Sequence, residues 1–153
     1  MPISIRPAGP ADAPVIVEFN RLLALETESK VLDIATLSRG VAACLADPMK
    51  GLYYVAETKG EAIGQIGLTY EFSDWRDGWF WWIQSVYVAK DFRRQGIFGQ
   101  LYDHVHQAAR SDATVVGLRL YVERSNHIAK RTYLRLGMRE SEYELLDLWP
   151  IDG

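Results

Sequence analysis

Hydrophobic residues in this chain fall into blocks of two periods, and the switches between them lay out an order of elements. Ile3 and Ile5 alternate with polar neighbours, which predicts a short first strand. From Pro10-Ala11-Asp12 the period lengthens, and Val15, Ile16, Phe19, Leu22 and Leu23 form the apolar stripe of a helix. Glu26-Thr27-Glu28-Ser29-Lys30 reads as the turn that follows. Asp33 is placed to cap a second helix carrying Ile34, Leu37, Val41 and Leu45, which Pro48 stops. Leu52 to Thr58 and Ala62 to Tyr70 predict a hairpin around Lys59-Gly60-Glu61. A polar turn, Ser73 to Gly78, leads into Trp81-Trp82-Ile83-Gln84-Ser85-Val86-Tyr87-Val88, whose aromatic and β-branched residues suit a buried strand. Leu101, Val105 and Ala108 then mark a helix. A strand at Val115 to Val122, a helix around Tyr133 and a last strand at Met138 to Leu146 complete the order. No repeat, low-complexity tract or linker intervenes, so residues 1–153 are expected to form a single domain of mixed α/β type.

Between the aromatic strand and the next helix lies Arg93-Arg94-Gln95-Gly96-Ile97-Phe98-Gly99. A glycine-bearing turn there leaves the first amides of the helix unpaired at the positive end of its dipole, where a phosphate binds. The spacing excludes two common phosphate loops. Gln100-Leu101 follows Gly99, where a nucleotide-hydrolysing loop needs Lys and Ser or Thr. The G-x-G-x-x-G of a dinucleotide fold is absent.

The loop resembles the Arg/Gln-x-x-Gly-x-Gly/Ala segment of the GNAT superfamily of N-acetyltransferases, through Arg93 and Gly96, with Phe98 standing where that pattern has Gly or Ala. Asn126-His127-Ile128-Ala129-Lys130-Arg131-Thr132-Tyr133-Leu134-Arg135-Leu136-Gly137-Met138 is similar to a second segment of the superfamily, Asn-x-x-Ala-x-x-x-Tyr-x-x-x-Gly-Phe. Ser125 or Asn126 can cap that helix, and Gly137 can end it. The resemblance implies the acyl-CoA N-acyltransferase fold, a central mixed and splayed β-sheet flanked by about four helices. It implies acetyl-coenzyme A as co-substrate, held by Arg93, Arg94, Gln95, Gly96, Phe98, Gly99 and Asn126. It also implies a bulge in Val86-Tyr87-Val88 that turns a backbone N–H toward the thioester, and Tyr133 as the acid that protonates the leaving thiolate. A homodimer is a further expectation from the family.

Composition narrows the partners. A formal net charge of −3 gives no general attraction for nucleic acid, and the basic cluster Lys90, Arg93 and Arg94 suits the phosphates of the cofactor. The single Cys44 allows no internal disulfide and fits a reducing compartment. No leader or spanning segment is evident, so a cytoplasmic protein with no membrane partner is expected. His104 and His106 point to nearly opposite sides of a helix, and His127 has no ligand at metal spacing, so no metal is expected.

Acetyl transfer also needs an acceptor amine and a sink for its proton. Many members of the superfamily carry an acid on the strand before the loop, where this chain has Ile83-Gln84-Ser85. Gln84 can hydrogen-bond a substrate or a water but takes no proton. Glu26, Glu28 and Glu71 are the nearest carboxylates to the expected acceptor site, and a water chain is an equal alternative. Trp79 and Trp81 sit on one face of their strand and Phe80 and Trp82 on the other, so one pair lies against the core and the other can cover a helix, line the acceptor site or form a dimer contact. The expected acceptor is a small-molecule primary amine. A peptide or protein amine, or a non-catalytic acyl-coenzyme A sensor on the same fold, are the alternatives.

Overall fold

The computed structural model describes residues 2–153. Two compact units divide the chain, the first ending at Tyr121 and the second spanning Val122–Gly153. The first unit contains β1 (Ser4–Pro7), α1 (Ala13–Glu28), α2 (Ile34–Ala46), β2 (Leu52–Thr58), β3 (Glu61–Ser73), β4 (Gly78–Val88), α3 (Ile97–Arg110) and β5 (Val115–Leu120). Its strands form one five-stranded sheet in the order β1-β2-β3-β4-β5. The first four pair antiparallel and β5 runs parallel to β4, so the sheet is mixed as expected. The second unit contains α4 (His127–Arg135) and the irregular chain after it.

Local chemistry explains most boundaries. The Asp33 carboxylate accepts the Thr36 N–H at 2.9 Å and starts α2. Lys59 and Gly60 both adopt positive φ, 52° and 76°, the geometry a tight two-residue hairpin requires. Asn126 caps α4 by accepting the Ala129 N–H at 3.1 Å. Gly137, at φ 106°, closes that helix. There the Gly137 N–H donates to the Leu134 carbonyl and the Met138 N–H to the Tyr133 carbonyl, each at 3.1 Å.

Two expectations need correction. The stretch from Glu26 to Lys30 is not a free turn, because α1 continues through Glu28. Thr27 spends its hydroxyl on the Leu23 carbonyl at 2.7 Å, and no Gly or Pro interrupts the helix before Ser29 turns left-handed at φ 53°. The strand expected over residues 138–146 does not form. Strand composition is not enough without a partner, and the second unit offers no other strand to complete a ladder. Its Leu146 and Trp149 are 89% and 86% exposed, rather than buried as a core strand's would be.

The two faces of the sheet pack differently. A Cβ added to Gly64 would lie 3.4 Å from Leu101 and 3.6 Å from Ile97, so even-numbered residues of β3 from Gly64 onward face α3. Ile66, Ile97, Leu101 and Val105 are fully buried in that layer. On the opposite face Ile16 of α1, Val41 of α2 and Val55 of β2 form a buried cluster. Gly40 breaks the pattern, lying inside α2 with open space within 4 Å of an added Cβ and no positive φ. Gly40→Ala is therefore expected to stabilise the protein by about 0.5–1 kcal/mol, read as a rise in Tm of roughly 2 °C in a thermal melt.

Candidate active site

In β4 one residue too many faces its neighbour. Gly67 pairs with Ser85 and Leu68 with Ile83, which leaves Gln84 as the bulged residue. The bulge thus falls two positions before the expected Val86-Tyr87-Val88. Its mark in the sequence is on the adjacent strand: an added Cβ at Gly67 would lie 2.7 Å from the Tyr53 ring, so only glycine fits there. The ladder between β4 and β5 ends at Ile83↔Leu120. Among the described residues, Gln84 to Val88 therefore pair within the sheet only with β3, and the sheet opens on their other side.

A cavity of about 360 Å³ reaches this bulge from under α1 and α2. Leu23, Leu32, Leu37 and Val41 supply apolar wall, and Thr69, Gln84 and Ser85 bring polar atoms from the sheet. Gln84 donates from Nε2 to the Thr69 hydroxyl at 3.0 Å. Beneath lies a buried network of neutral groups. Gln65 Nε2 donates to Ser85 Oγ at 2.8 Å, Ser85 Oγ to Asn20 Oδ1 at 2.6 Å, and Asn20 Nδ2 to the Tyr53 hydroxyl at 3.1 Å. The network fixes the rotamers of the floor while leaving Gln65 Oε1 buried without a hydrogen-bond partner among the described residues. Cys44 lines the same cavity, and burial pushes its thiol up, away from the reactive thiolate.

The loop after β4 is held by side chains from two elements. Arg93 donates from Nε to the Val88 carbonyl at 2.9 Å and from Nη2 to Glu26 at 2.6 Å. The other oxygen of Glu26 accepts the Tyr87 hydroxyl at 2.6 Å. Burial alone would push the Glu26 carboxyl up, but Tyr87 and Arg93 together outweigh it and hold it below the ordinary glutamate value. Desolvation, reinforced by Glu26, pushes the Tyr87 phenol up to about 12. Beyond Arg93 the backbone turns left-handed at Arg94 (φ 63°) and at Gly96 (φ 78°), the N-cap residue of α3. Nothing lies within 4 Å of a Cβ built at Gly96 or Gly99. The α3 ladder begins with the Gln100 N–H on the Gly96 carbonyl, at 3.0 Å. The amides of Ile97 and Gly99 precede that bond and sit at the positive end of the helix. Open space, left-handed glycine and a helix N-terminus together fit a pyrophosphate.

The expected acceptor residues are dispersed. Glu28 and Gln84 line the cavity, with Glu28 paired to Lys30 at 3.0 Å. Glu26 belongs to the loop support just described. Glu71 accepts the Trp82 indole N–H and an Arg119 guanidinium N–H, each at 3.0 Å, and is not part of the lining. Trp79 and Trp81 face the α3 side, stacked edge-on with Phe72 and Tyr70, so the cavity lies on the other face of the sheet. Phe80 instead lies under the Arg119 guanidinium at 3.6 Å. Tyr133 is half-buried on α4, and Asn126 spends its side-chain oxygen on the cap of that helix. Asn20, Tyr53, Thr69 and Cys44 were not anticipated from the sequence. Polar Asn20 and Gln65 inside otherwise apolar stretches were the available clue.

Comparison with known proteins agrees with this fold. Residues 19–138 match the acetyltransferase (GNAT) family. An aminoalkylphosphonate N-acetyltransferase of Salmonella typhimurium is 33% identical over 113 residues, covering 73% of this chain and 71% of that protein. The crystal structure of a possible acetyltransferase from Clostridium difficile 630 superposes with a TM-score of 0.92 at 47% identity, covering 95% of each chain. A ribosomal-protein-alanine N-acetyltransferase from Brucella melitensis, 15% identical, covers 97% of this chain and 100% of its own with a TM-score of 0.77, which shows the shared fold alone. The chain belongs to the GNAT family of acetyltransferases, and N-acetyl transfer is its activity.

The Glu26 contacts generate a pH-dependent prediction. A carboxyl whose folded pKa is depressed adds stability above its unfolded value, about 4.3, and loses it as pH falls through the folded value. Glu26→Gln is expected to lower stability at pH 7 by at most about 1 kcal/mol, the ceiling for a half-exposed pair. The difference from wild type should shrink toward zero in urea titrations as the pH falls below about 4. A difference that is constant from pH 7 to pH 3 would contradict the ionic role.

Proposed function

We propose that this acetyltransferase moves an acetyl group from acetyl-coenzyme A to the primary amine of a small molecule seated in the cavity under α1 and α2. The observation that carries the reading is the meeting of that cavity with the bulged, half-unpaired segment of β4, directly ahead of the Arg93–Gly99 loop. GNAT enzymes use acetyl-coenzyme A as co-substrate, which supplies an acetyl thioester open to direct attack by an uncharged amine. The amides ahead of Gln100, with Gly96 and Gly99 giving clearance, hold the pyrophosphate. Arg94, Gln95, Phe98 and Asn126 are proposed as further contacts from their positions in the two family segments. Arg93 acts chiefly by shaping the loop, since its guanidinium already ties Val88 to Glu26.

Val86, Tyr87 and Val88 align the arm of the cofactor along the side of β4 that β5 does not cover. A backbone N–H in the bulged stretch stabilises the developing oxyanion, a donor fixed before the reaction begins. Tyr133 gives its phenolic proton to the departing sulfur. Gln84 and Thr69, already bonded to each other, orient the incoming amine. Glu28 is the lone carboxylate in the lining and draws an ammonium to the cavity mouth. The ammonium proton leaves to water, because each of the three candidate carboxylates already holds a partner, Glu28 its Lys30.

A thiol-release assay with acetyl-coenzyme A and a panel of primary amines tests this directly. Turnover is expected with at least one small amine, and Tyr133→Phe should lower kcat about 10- to 100-fold with little change in KM for the cofactor. Cofactor binding without turnover on any amine or short peptide would move the protein to the acyl-coenzyme A sensor reading.

A further inference from the structure

We propose that the cavity selects primary amines whose remaining body carries no anionic group, and that it turns away aminoalkylphosphonates and amino acids. This specificity rests on the acetyltransferase reading of the site. Among the residues that line the cavity there is no Lys, Arg or His. Glu28 is the only charged side chain in the lining, and its partner Lys30 is 66% exposed and stands outside it. On the enclosing helices, Arg21 is paired with Glu18 at 2.7 Å and Arg39 leans along α2 to the Thr36 hydroxyl at 3.4 Å. No cation on these elements is therefore directed to a phosphonate or carboxylate in the cavity.

The walls make the same choice. Leu23, Leu37, Val41 and the backbone edge at Gly67 offer an anion no donor that could replace its hydration. The floor offers only neutral donors, the hydroxyls of Tyr53 and Thr69, which accept N–H groups from Asn20 and Gln84, so no charge there balances an anion. A volume of about 360 Å³ is at the small end of ligand cavities, enough for a compact amine with a short apolar or neutral polar arm. The relative from Salmonella, named for aminoalkylphosphonates, is 33% identical, a distance at which acceptor preference can diverge on a shared fold.

Cys44 is the single cysteine of the chain and lines the cavity, so it reports the preference without any turnover. Methanethiosulfonate reagents carrying an aminoethyl, a methyl or a sulfonatoethyl group each form a disulfide with its thiolate. The S–SO₂ bond breaks, methanesulfinate leaves, and the thiol proton goes to solvent. With each rate divided by that for a small thiol in solution, the aminoethyl reagent should react at least about fivefold faster than the sulfonatoethyl reagent. The methyl reagent separates access from charge. Gly40→Lys, at an exposed helix position that lines the cavity and has open space for a side chain, should cut that ratio about fivefold.

Acceptor kinetics supply the second arm. Alkylamines or neutral amino alcohols should show kcat/KM at least about tenfold above their phosphonate and carboxylate analogues. Equal or faster reaction of the anionic reagent, or preferred turnover of an aminoalkylphosphonate, would overturn the proposal. A cationic preference at Cys44 with no turnover of any amine would uphold the charge selection while removing the catalytic reading beneath it.

Discussion

The extra residue at Gln84 does more than kink β4, because it falls where the pairing with β5 stops. Before that point β4 is an interior strand, bonded on both sides. Beyond it, β4 keeps β3 and presents its other edge. A sheet cannot leave backbone groups unpaired in its interior without cost, so such an edge persists only where a ligand, water or another segment can satisfy it. The cavity under α1 and α2 reaches the same residues. One irregularity thereby brings the cavity and an edge of β4 left unpaired within the sheet together.

The remaining parts hold that irregularity in place. Gly67 admits the Tyr53 ring opposite the bulge, and Tyr53 anchors the chain of hydrogen bonds through Asn20 to Ser85 and Gln65. These bonds cross α1, β2, β3 and β4, so the floor of the cavity is braced by four elements. A second brace joins Tyr87, Glu26 and Arg93, tying the end of α1 to the start of the loop before α3. Glu26 thus serves as a support for the loop. Its low pKa follows from that engagement, since both neighbours favour the charged carboxylate.

Elements with strong local chemistry were legible in the sequence. Asp33 and Asn126 capped the helices they were expected to cap, Lys59-Gly60 made the hairpin turn, and Gly137 closed α4. The loop from Arg93 to Gly99 stood out because Arg93 and Gly96 stand at a fixed spacing in a glycine-bearing turn between a strand and a helix. What escaped was set by tertiary partners. The bulge is recorded in Gly67 of the neighbouring strand, and residues 138–146 have strand composition but belong to a unit that contains no strand. Trp79 and Trp81 were correctly placed on one face, but only packing against α3 decides that the cavity is on the other. Asn20 hid in an apolar helical stripe, where its partners on β2 and β4 are distant in sequence.

The central claim is that acetyl-coenzyme A lies along the open edge of β4 with its pyrophosphate at the start of α3. Amide chemical shifts of the 17.4 kDa protein, followed by NMR during titration with acetyl-coenzyme A, test it residue by residue. The largest changes are expected at Gly96 to Gly99 and at Gln84 to Val88, with those of β1 nearly unmoved. Saturable binding whose shifts fall elsewhere, or no binding at millimolar cofactor, would contradict it.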